Sequence, residues 1–201
     1  MKTLNQQEAT LIEKSKDGDS ESFEKLILQH QKKAFNIAYR MLGNLEDAND
    51  VTQEALLKAY RAINRFQEKS SFSTWLYTIV TNTCVDFIRK NRKTKVVYLD
   101  REYEGEEGQY KREVYDDENG PEELLEKKEV QRLIHDAINL LNYEQRKVII
   151  LRDIEGFSYR EIAEILDCAE GTIKSRINRA RSNLKNLITE KIRGKEGYHE
   201  L

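Results

Sequence analysis

Apolar side chains recur three or four residues apart along most of the chain, the spacing of one buried helix face. Residues 5–16 fit a short helix. Asp19 or Ser20 can cap a second, whose apolar positions Phe23, Leu26, Ile27, Ala34, Ile37, Ala38 and Met41 run on to Gly43, a C′ stop. Asn44 caps a third helix with the stripe Leu45, Ala48, Val51, Ala55, Leu56, Ala59, Tyr60, Ile63 and Phe66. A fourth begins near Ser73, carries Trp75, Leu76, Ile79, Val80, Thr83, Phe87 and Ile88, and ends in cations that suit a helix C-terminus. Periodicity then lapses over 94–120. It returns at Pro121, placed as an N1 proline, with Leu124, Leu125, Leu133, Ile134, Ala137, Ile138 and Leu141. Asn142 with Gln145, and Ser158 with Glu161, have capping-box spacing and open two more helices. The turn Asp167–Glu170 leads into a last helix from about Thr172, with Ile173, Ile177, Ala180, Leu184, Leu187 and Ile188 inward.

This pattern predicts an all-α protein of two small helical domains, residues 1–93 and 121–201, joined by a flexible acidic linker over 94–120. Composition agrees. Only 38 % of the 201 residues are hydrophobic, which suits two modest cores better than one large one. One proline and nine glycines argue against a β-sandwich. No run of about 18 apolar residues exists to span a membrane. The stretch Met1–Glu8 lacks the apolar core of a signal peptide. Cys84 and Cys168 lie far apart, which fits a reducing cytoplasm.

The net charge of −2 conceals a segregation. Residues 1–92 carry 14 basic and 12 acidic side chains, residues 93–130 carry 7 and 13, and residues 131–201 carry 13 and 11. Within 171–193, seven cations (Lys174, Arg176, Arg179, Arg181, Lys185, Lys191 and Arg193) face Glu190 alone, which points to a polyanion.

Two helices joined by four residues, the second basic on one side, read as a helix-turn-helix. With Ile173, Ile177, Ala180 and Leu184 buried, Thr172, Lys174, Ser175, Arg176, Asn178, Arg179 and Arg181 share the other faces. Arginine forks suit guanine edges; Lys, Ser and Thr suit phosphates. A second stretch, Phe66–Tyr77, sets Phe72, Trp75 and Tyr77 among hydroxyls and Lys69, with Arg89, Lys90, Arg92 and Lys93 one helix along. Aromatics with cations can hold unstacked bases, and Asn82 and Asp86, one turn apart, can bond base edges. Trp75 and Phe87 fit the core stripe instead.

Four segments resemble a known family. Gly43–Ala55 resembles the polymerase-binding segment of bacterial sigma factors, and Phe72–Asn82 their promoter-melting segment. Leu151–Leu166 and Gly171–Arg181 resemble their C-terminal domain. The set is similar to the extracytoplasmic-function (ECF) group, which has regions 2 and 4 alone, and covers about residues 20–92 and 122–190. Asp167 stands where a glycine is frequent, and Asp tolerates a left-handed turn. Glu170 brings an acid close to the DNA-facing helix start.

The resemblance implies a dissociable subunit of bacterial RNA polymerase that acts by binding and DNA opening, with no catalytic residues, metal or cofactor. Asp50, Gln53, Glu54 and Leu57 are expected to dock on the clamp helices of β′, with β also contacted. Lys69, Ser70, Ser71, Phe72, Asn82, Asp86, Arg89, Lys90 and Arg92 are expected to open and read the −10 element. Thr172, Lys174, Ser175, Arg176, Arg179 and Arg181 are expected to read the −35 duplex. It further implies a cytoplasmic protein held by an anti-sigma factor, itself often membrane-anchored, without insertion of this chain. The other reading is a stand-alone helix-turn-helix repressor or activator, which needs only the tail. His30, His135 and His199 have no partner at ligand spacing. The calcium-loop imitation at Asp117, Asn119, Gly120 and Glu126 has Tyr115 where a carboxylate is required.

Overall fold

The computed structural model describes residues 6–95 and 121–196, with side chains described over 6–91 and 129–193. The expected acidic linker lies almost wholly outside these residues, as do the side chains of Arg92, Lys93 and His199. Every regular element among the described residues is helical.

The first unit is α1 (Gln6–Lys16), α2 (Ser20–Leu28), α3 (Gln31–Leu42), α4 (Leu45–Ala62), a 3₁₀ turn at Ile63–Arg65, and α5 (Phe72–Lys95). Helices α3, α4 and α5 pack on one another, and α1 packs on α2. The stripe Phe23 to Met41 was expected to lie on one helix. The chain instead turns at Gln29 and His30, where the His30 N–H reaches the Ile27 carbonyl. A straight helix would present all seven apolar residues to one neighbour. The break gives Leu26 and Ile27 their own seat, and Ala34, Ile37, Ala38 and Met41 theirs; all six are buried.

Gly43 ends α3 with φ 76°, a left-handed conformation in which a Cβ is strained. Asn44 follows at once as the N-cap of α4, its side chain accepting from the Asp47 N–H at 3.0 Å. The close succession of stop and start fixes the angle between α3 and α4 and so sets which face of α4 is outward.

The second unit is α6 (Pro121–Leu140), α7 (Tyr143–Ile149), a widened π turn at Ile150–Ile154, α8 (Tyr159–Ile165) and α9 (Glu170–Glu196). Helix α9 is its axis, with α6, α7 and α8 all packed against it. Pro121 does open α6. The Asn142 side chain caps α7 through the Gln145 N–H at 3.0 Å. Ser158 and Glu161 form the full reciprocal capping box. The π turn has no counterpart in the periodicity. It closes with the Glu155 N–H on the Ile150 carbonyl, and the Phe157 N–H then bonds the Leu151 carbonyl, each at 2.9 Å. The extra residue per turn swings Glu155 and Phe157 out of the helix and toward α3 and α5 of the first unit.

Candidate functional site

Three exposed surfaces correspond to the three groups of residues singled out by the sequence. The first is on α4. Ala48, Val51, Ala55 and Ala59 are buried to 1 % exposure or less, which turns the opposite face outward. Asp50, Gln53, Glu54 and Leu57 lie on that face, three or four residues apart, and all four are exposed. Glu54 pairs with Lys58, one turn on, at 2.8 Å. Such an exposed pair adds little stability and is easily exchanged for a partner's cation. Leu57 is 55 % exposed. A large apolar side chain beside carboxylates suits a partner that offers both apolar and basic groups.

The second surface surrounds the entry to α5. Phe66 and Phe72 meet edge to face at 5.9 Å, Trp75 lies 5.6 Å from Phe72, and the His30 ring closes the other side at 5.5 Å. Phe72 is wholly buried. The expectation that its ring wraps an extruded base is therefore corrected: Phe72 belongs to the floor of the loop. Burying an aromatic removes about 150–250 Å² of ring surface from water, and three neighbouring rings outcompete solvent for it. Trp75 is partly buried and packs against the same core.

Ser71 is the N-cap of α5. Its hydroxyl accepts from the Thr74 N–H at 3.2 Å and bonds the Thr74 hydroxyl at 2.8 Å, while its carbonyl accepts from Trp75 N–H. Glu68 has φ 56° and pairs with Lys16 of α1, whose ammonium also lies 5.7 Å from the Phe66 ring centre. These contacts hold the loop in one shape and leave Lys69 exposed and Ser70 half-exposed at its crest. Along α5, Asn82, Asp86 and Arg89 are exposed at helical spacing, with Lys90 beside them. The buried residues Thr81, Cys84 and Val85 face the other way. Burial pushes the Cys84 thiol up to about 12, so it is a core residue without thiolate chemistry.

The third surface is the outer face of α9. Ile173, Ile177 and Ala180 are fully buried, as is Ile162 of α8. Asp167 takes φ 47° at the turn between the helices, as its tolerance of the left-handed region predicted. Lys174 and Arg179 are exposed; Thr172, Ser175 and Arg176 are half-buried. The Ser175 hydroxyl donates to the Thr172 carbonyl at 2.9 Å. Arg176 comes within 3.6 Å of Glu144. Arg181 is held by both carboxylate oxygens of Asp153, one of them 3.1 Å from its Nε, and this bond raises its pKa further. Arg181 thus leans back on the π turn, whereas Arg179 makes no ion pair with a described residue. Asn178, absent from the expected site residues, is exposed one turn beyond Lys174. Its amide can pair with an adenine edge. The buried stripe Ile173, Ile177 and Ala180 is the signal that already sets it on the outer faces.

The comparisons with known proteins match this layout. Sigma-70 region 2 matches residues 26–94, which take in α4, the loop and nearly all of α5. Sigma-70 region 4 matches residues 131–184, which take in the helix-turn-helix. The ECF RNA polymerase sigma factor SigW of Bacillus subtilis is 38 % identical over 181 residues, 89 % of this chain and 95 % of that protein. The chain belongs to the ECF sigma factors. The RNA polymerase sigma-H factor of Pseudomonas aeruginosa is 33 % identical over 193 residues, 94 % of this chain and 97 % of that one. Among solved structures, the sigma factor RpoE of Bartonella quintana, in complex with the anti-sigma factor NepR, superposes with TM-score 0.65 at 28 % identity. It covers 83 % of this chain and 96 % of its own. CnrH, in complex with the cytosolic domain of CnrY, shares the fold with TM-score 0.64 at 24 % identity, over 92 % of this chain and 99 % of that one.

The protein is therefore a dissociable subunit of RNA polymerase that directs promoter-specific initiation. Its family consists of DNA-binding regulators. The reading as a stand-alone helix-turn-helix regulator is not favoured, since region 2 occupies most of the first unit. Among the described residues, no helix is long and apolar enough to cross a membrane.

Proposed function

We propose that this sigma factor divides its work among the three surfaces. The α4 face, through Asp50, Gln53, Glu54 and Leu57, docks on the clamp helices of the polymerase β′ subunit. The crest of the loop, Lys69 and Ser70 over the cap Ser71, receives an extruded −10 base, while Asn82 and Asp86 address base edges. Arg89, Lys90 and Arg92 hold upstream phosphates, a term independent of sequence. Losing its stack costs a base a few kcal/mol, which donors fixed in advance by the Phe66–Phe72–Trp75 floor offset. The α9 face reads the −35 duplex, with Lys174, Thr172 and Ser175 near phosphates and Arg176, Asn178 and Arg179 at base edges. The mechanism is binding and opening, with no covalent step by this chain.

The observation that carries this reading is the α4 face: an exposed Leu57 set among Asp50, Gln53 and Glu54 on the helix that region 2 covers. Asp50→Arg combined with Glu54→Arg is expected to remove core binding, measured by co-elution with core polymerase, while circular dichroism stays unchanged. Wild-type co-elution of the double variant would place the docking face elsewhere.

One of these neighbours, the sigma factor RpoE of Bartonella quintana, was solved with an anti-sigma factor. This supports a cytoplasmic protein of the same regulatory kind, held by an anti-sigma partner that can itself be membrane-anchored. Pull-down from unstressed cells is expected to recover a stoichiometric protein other than polymerase.

A further inference from the structure

The loop before α5 is braced from a helix far ahead of it in the chain. Helix α1 ends at Lys16, whereas the segment matched by sigma-70 region 2 begins only at residue 26. The end of α1 is firmly set. Ile12 and Ser15 are buried, and α1 packs on the 3₁₀ turn at Ile63–Arg65 as well as on α2. Gly18 takes φ 94°, and the Gly18 and Asp19 N–H groups donate to the Ser15 and Lys14 carbonyls at 3.1 and 3.0 Å, which closes the last turn. From this fixed end the Lys16 side chain crosses to the loop. Its ammonium pairs with Glu68, lies 3.2 Å from the Glu13 carboxylate, and sits 5.7 Å from the centre of the Phe66 ring.

Glu68 is the strained point of the loop. Its φ of 56° is left-handed, where a residue with a Cβ persists only if its surroundings over-determine it. An ion pair between partly exposed groups adds little to global stability. It can still choose between two shapes of a short loop. Lys69 and Ser70 follow Glu68 directly, so a return of Glu68 to the ordinary helical or extended region would displace both. Without the ammonium they share, the Glu13 and Glu68 carboxylates would face each other with no cation between them, which favours that return. The Lys16 bond holds the Glu68 carboxyl below the usual carboxylate range, so the pair stays charged at neutral pH.

We propose that Lys16 is a positioning residue for promoter opening: from α1 it holds Glu68 in the left-handed conformation that sets Lys69 and Ser70 where an extruded −10 base is received. The proposal rests on the reading of this loop as the receiver of that base.

The test uses holoenzyme assembled from full-length chain and core polymerase, on a promoter that the wild type opens, with permanganate reactivity of the −10 thymines as the readout. Lys16→Met keeps an apolar stem over Phe66 and removes the charge. It is expected to lower reactivity by about fivefold, the size of coupling found between touching residues, and to broaden the −10 preference. Thermal melting, co-elution with core and binding to a −35 duplex are expected to stay as in the wild type. Glu68→Lys is expected to act alike. Lys16→Glu with Glu68→Lys re-forms the pair with reversed charge and is expected to recover at least half of the lost reactivity. Asn tolerates the left-handed region, so Glu68→Asn is expected to open the promoter, and adding Lys16→Met to it to change nothing further. Wild-type opening by Lys16→Met, no recovery in the reversed pair, or a loss of opening that merely follows a lowered melting temperature would each overturn the brace. So would a further loss from Lys16→Met in the Glu68→Asn background, the mark of a direct contact between Lys16 and DNA. Lys69→Ala separates the brace from the reading beneath it. If Lys69→Ala lowers opening and Lys16→Met does not, the brace fails and the crest assignment stands. If Lys16→Met and its rescues behave as stated while Lys69→Ala opens like the wild type, the brace stands and the assignment of Lys69 fails.

Discussion

The two surfaces proposed to read DNA are built on opposite plans. On α9 the groups proposed to meet DNA project from the exposed side of one helix whose inner side, Ile173, Ile177 and Ala180, is fully buried. At the entry to α5 the surface is a loop moulded over a buried ring, with Phe72 beneath and Lys69 and Ser70 above. A projecting surface loses one contact when one side chain is cut. A moulded surface loses its shape when its floor is cut. The difference separates residues proposed to read DNA from residues that hold the surface in shape, and each can be broken in its own way.

The largest effect is expected from Phe72→Ala. Removing a wholly buried ring that touches three others costs about 3–5 kcal/mol, a large part of what a small domain has. Thermal denaturation is expected to show the first unit melting early, with −35 binding by the second unit retained. Lys69→Ala at the crest is expected to leave melting unchanged and weaken −10 opening alone, seen by permanganate reactivity. A Phe72→Ala protein of native stability with altered −10 preference would show that the ring itself reads the base.

An intermediate effect separates the arginines of α9. Arg179 is exposed and makes no ion pair with a described residue, while Arg181 is bound by Asp153. Arg179→Ala is expected to weaken −35 binding by about 1–3 kcal/mol if its fork meets a base edge. Arg181→Ala is expected to cost less DNA affinity and to loosen the contact between α9 and the π turn. Binding titrations on −35 duplexes check the order; a larger loss from Arg181 would reverse the assignment.

The smallest effect is on pH. His30 sits between Phe72 and Tyr77, its Nδ1 3.3 Å from the Tyr77 hydroxyl and its Nε2 buried with no hydrogen-bond partner among the described residues. Burial, and secondarily Lys33, holds its pKa below the usual 6.5. Burial does the same to His135, where Arg40 and Arg146 also act and Asp136 opposes. A depressed histidine stabilises the fold above 6.5, and that stability is lost as pH falls toward its native pKa. Glu155, raised by burial, acts with the opposite sign at lower pH. Melting temperature is expected to fall by a few degrees from about pH 7 to about pH 5.5, and His30→Gln is expected to flatten that slope.

The same contrast explains what was legible in the sequence. Stops and starts with a local cause were readable: Gly43 and Asn44, Pro121, Ser158 with Glu161, and the left-handed turn at Asp167. The outward face of α4 followed from its buried alanines and Val51, and the α9 face from Ile173, Ile177 and Ala180. Phe72 was not readable, because an aromatic at a helix entry has the same identity whether it faces a base or a core; only the positions of Phe66, Trp75 and His30 decide. The turn at His30 and the π turn at Ile150–Ile154 carry no glycine or proline, and they arise from where distant helices offer burial. The pairing of Arg181 with Asp153 joins residues 28 apart in the chain, beyond the reach of any periodic pattern. The hydrogen bond from Lys33 to the Glu155 carbonyl joins residues more distant still.

Transcription reconstituted from core polymerase and this chain on a promoter library randomised at both elements tests the central claim most directly, with start sites read by sequencing. The account predicts initiation only when chain and core are both present, from templates that share one −35 and one −10 sequence. It further predicts that Arg179→Ala relaxes the −35 preference alone and Lys69→Ala lowers opening at −10 alone. Specific DNA binding that is complete without core, together with initiation indifferent to the chain, would contradict it.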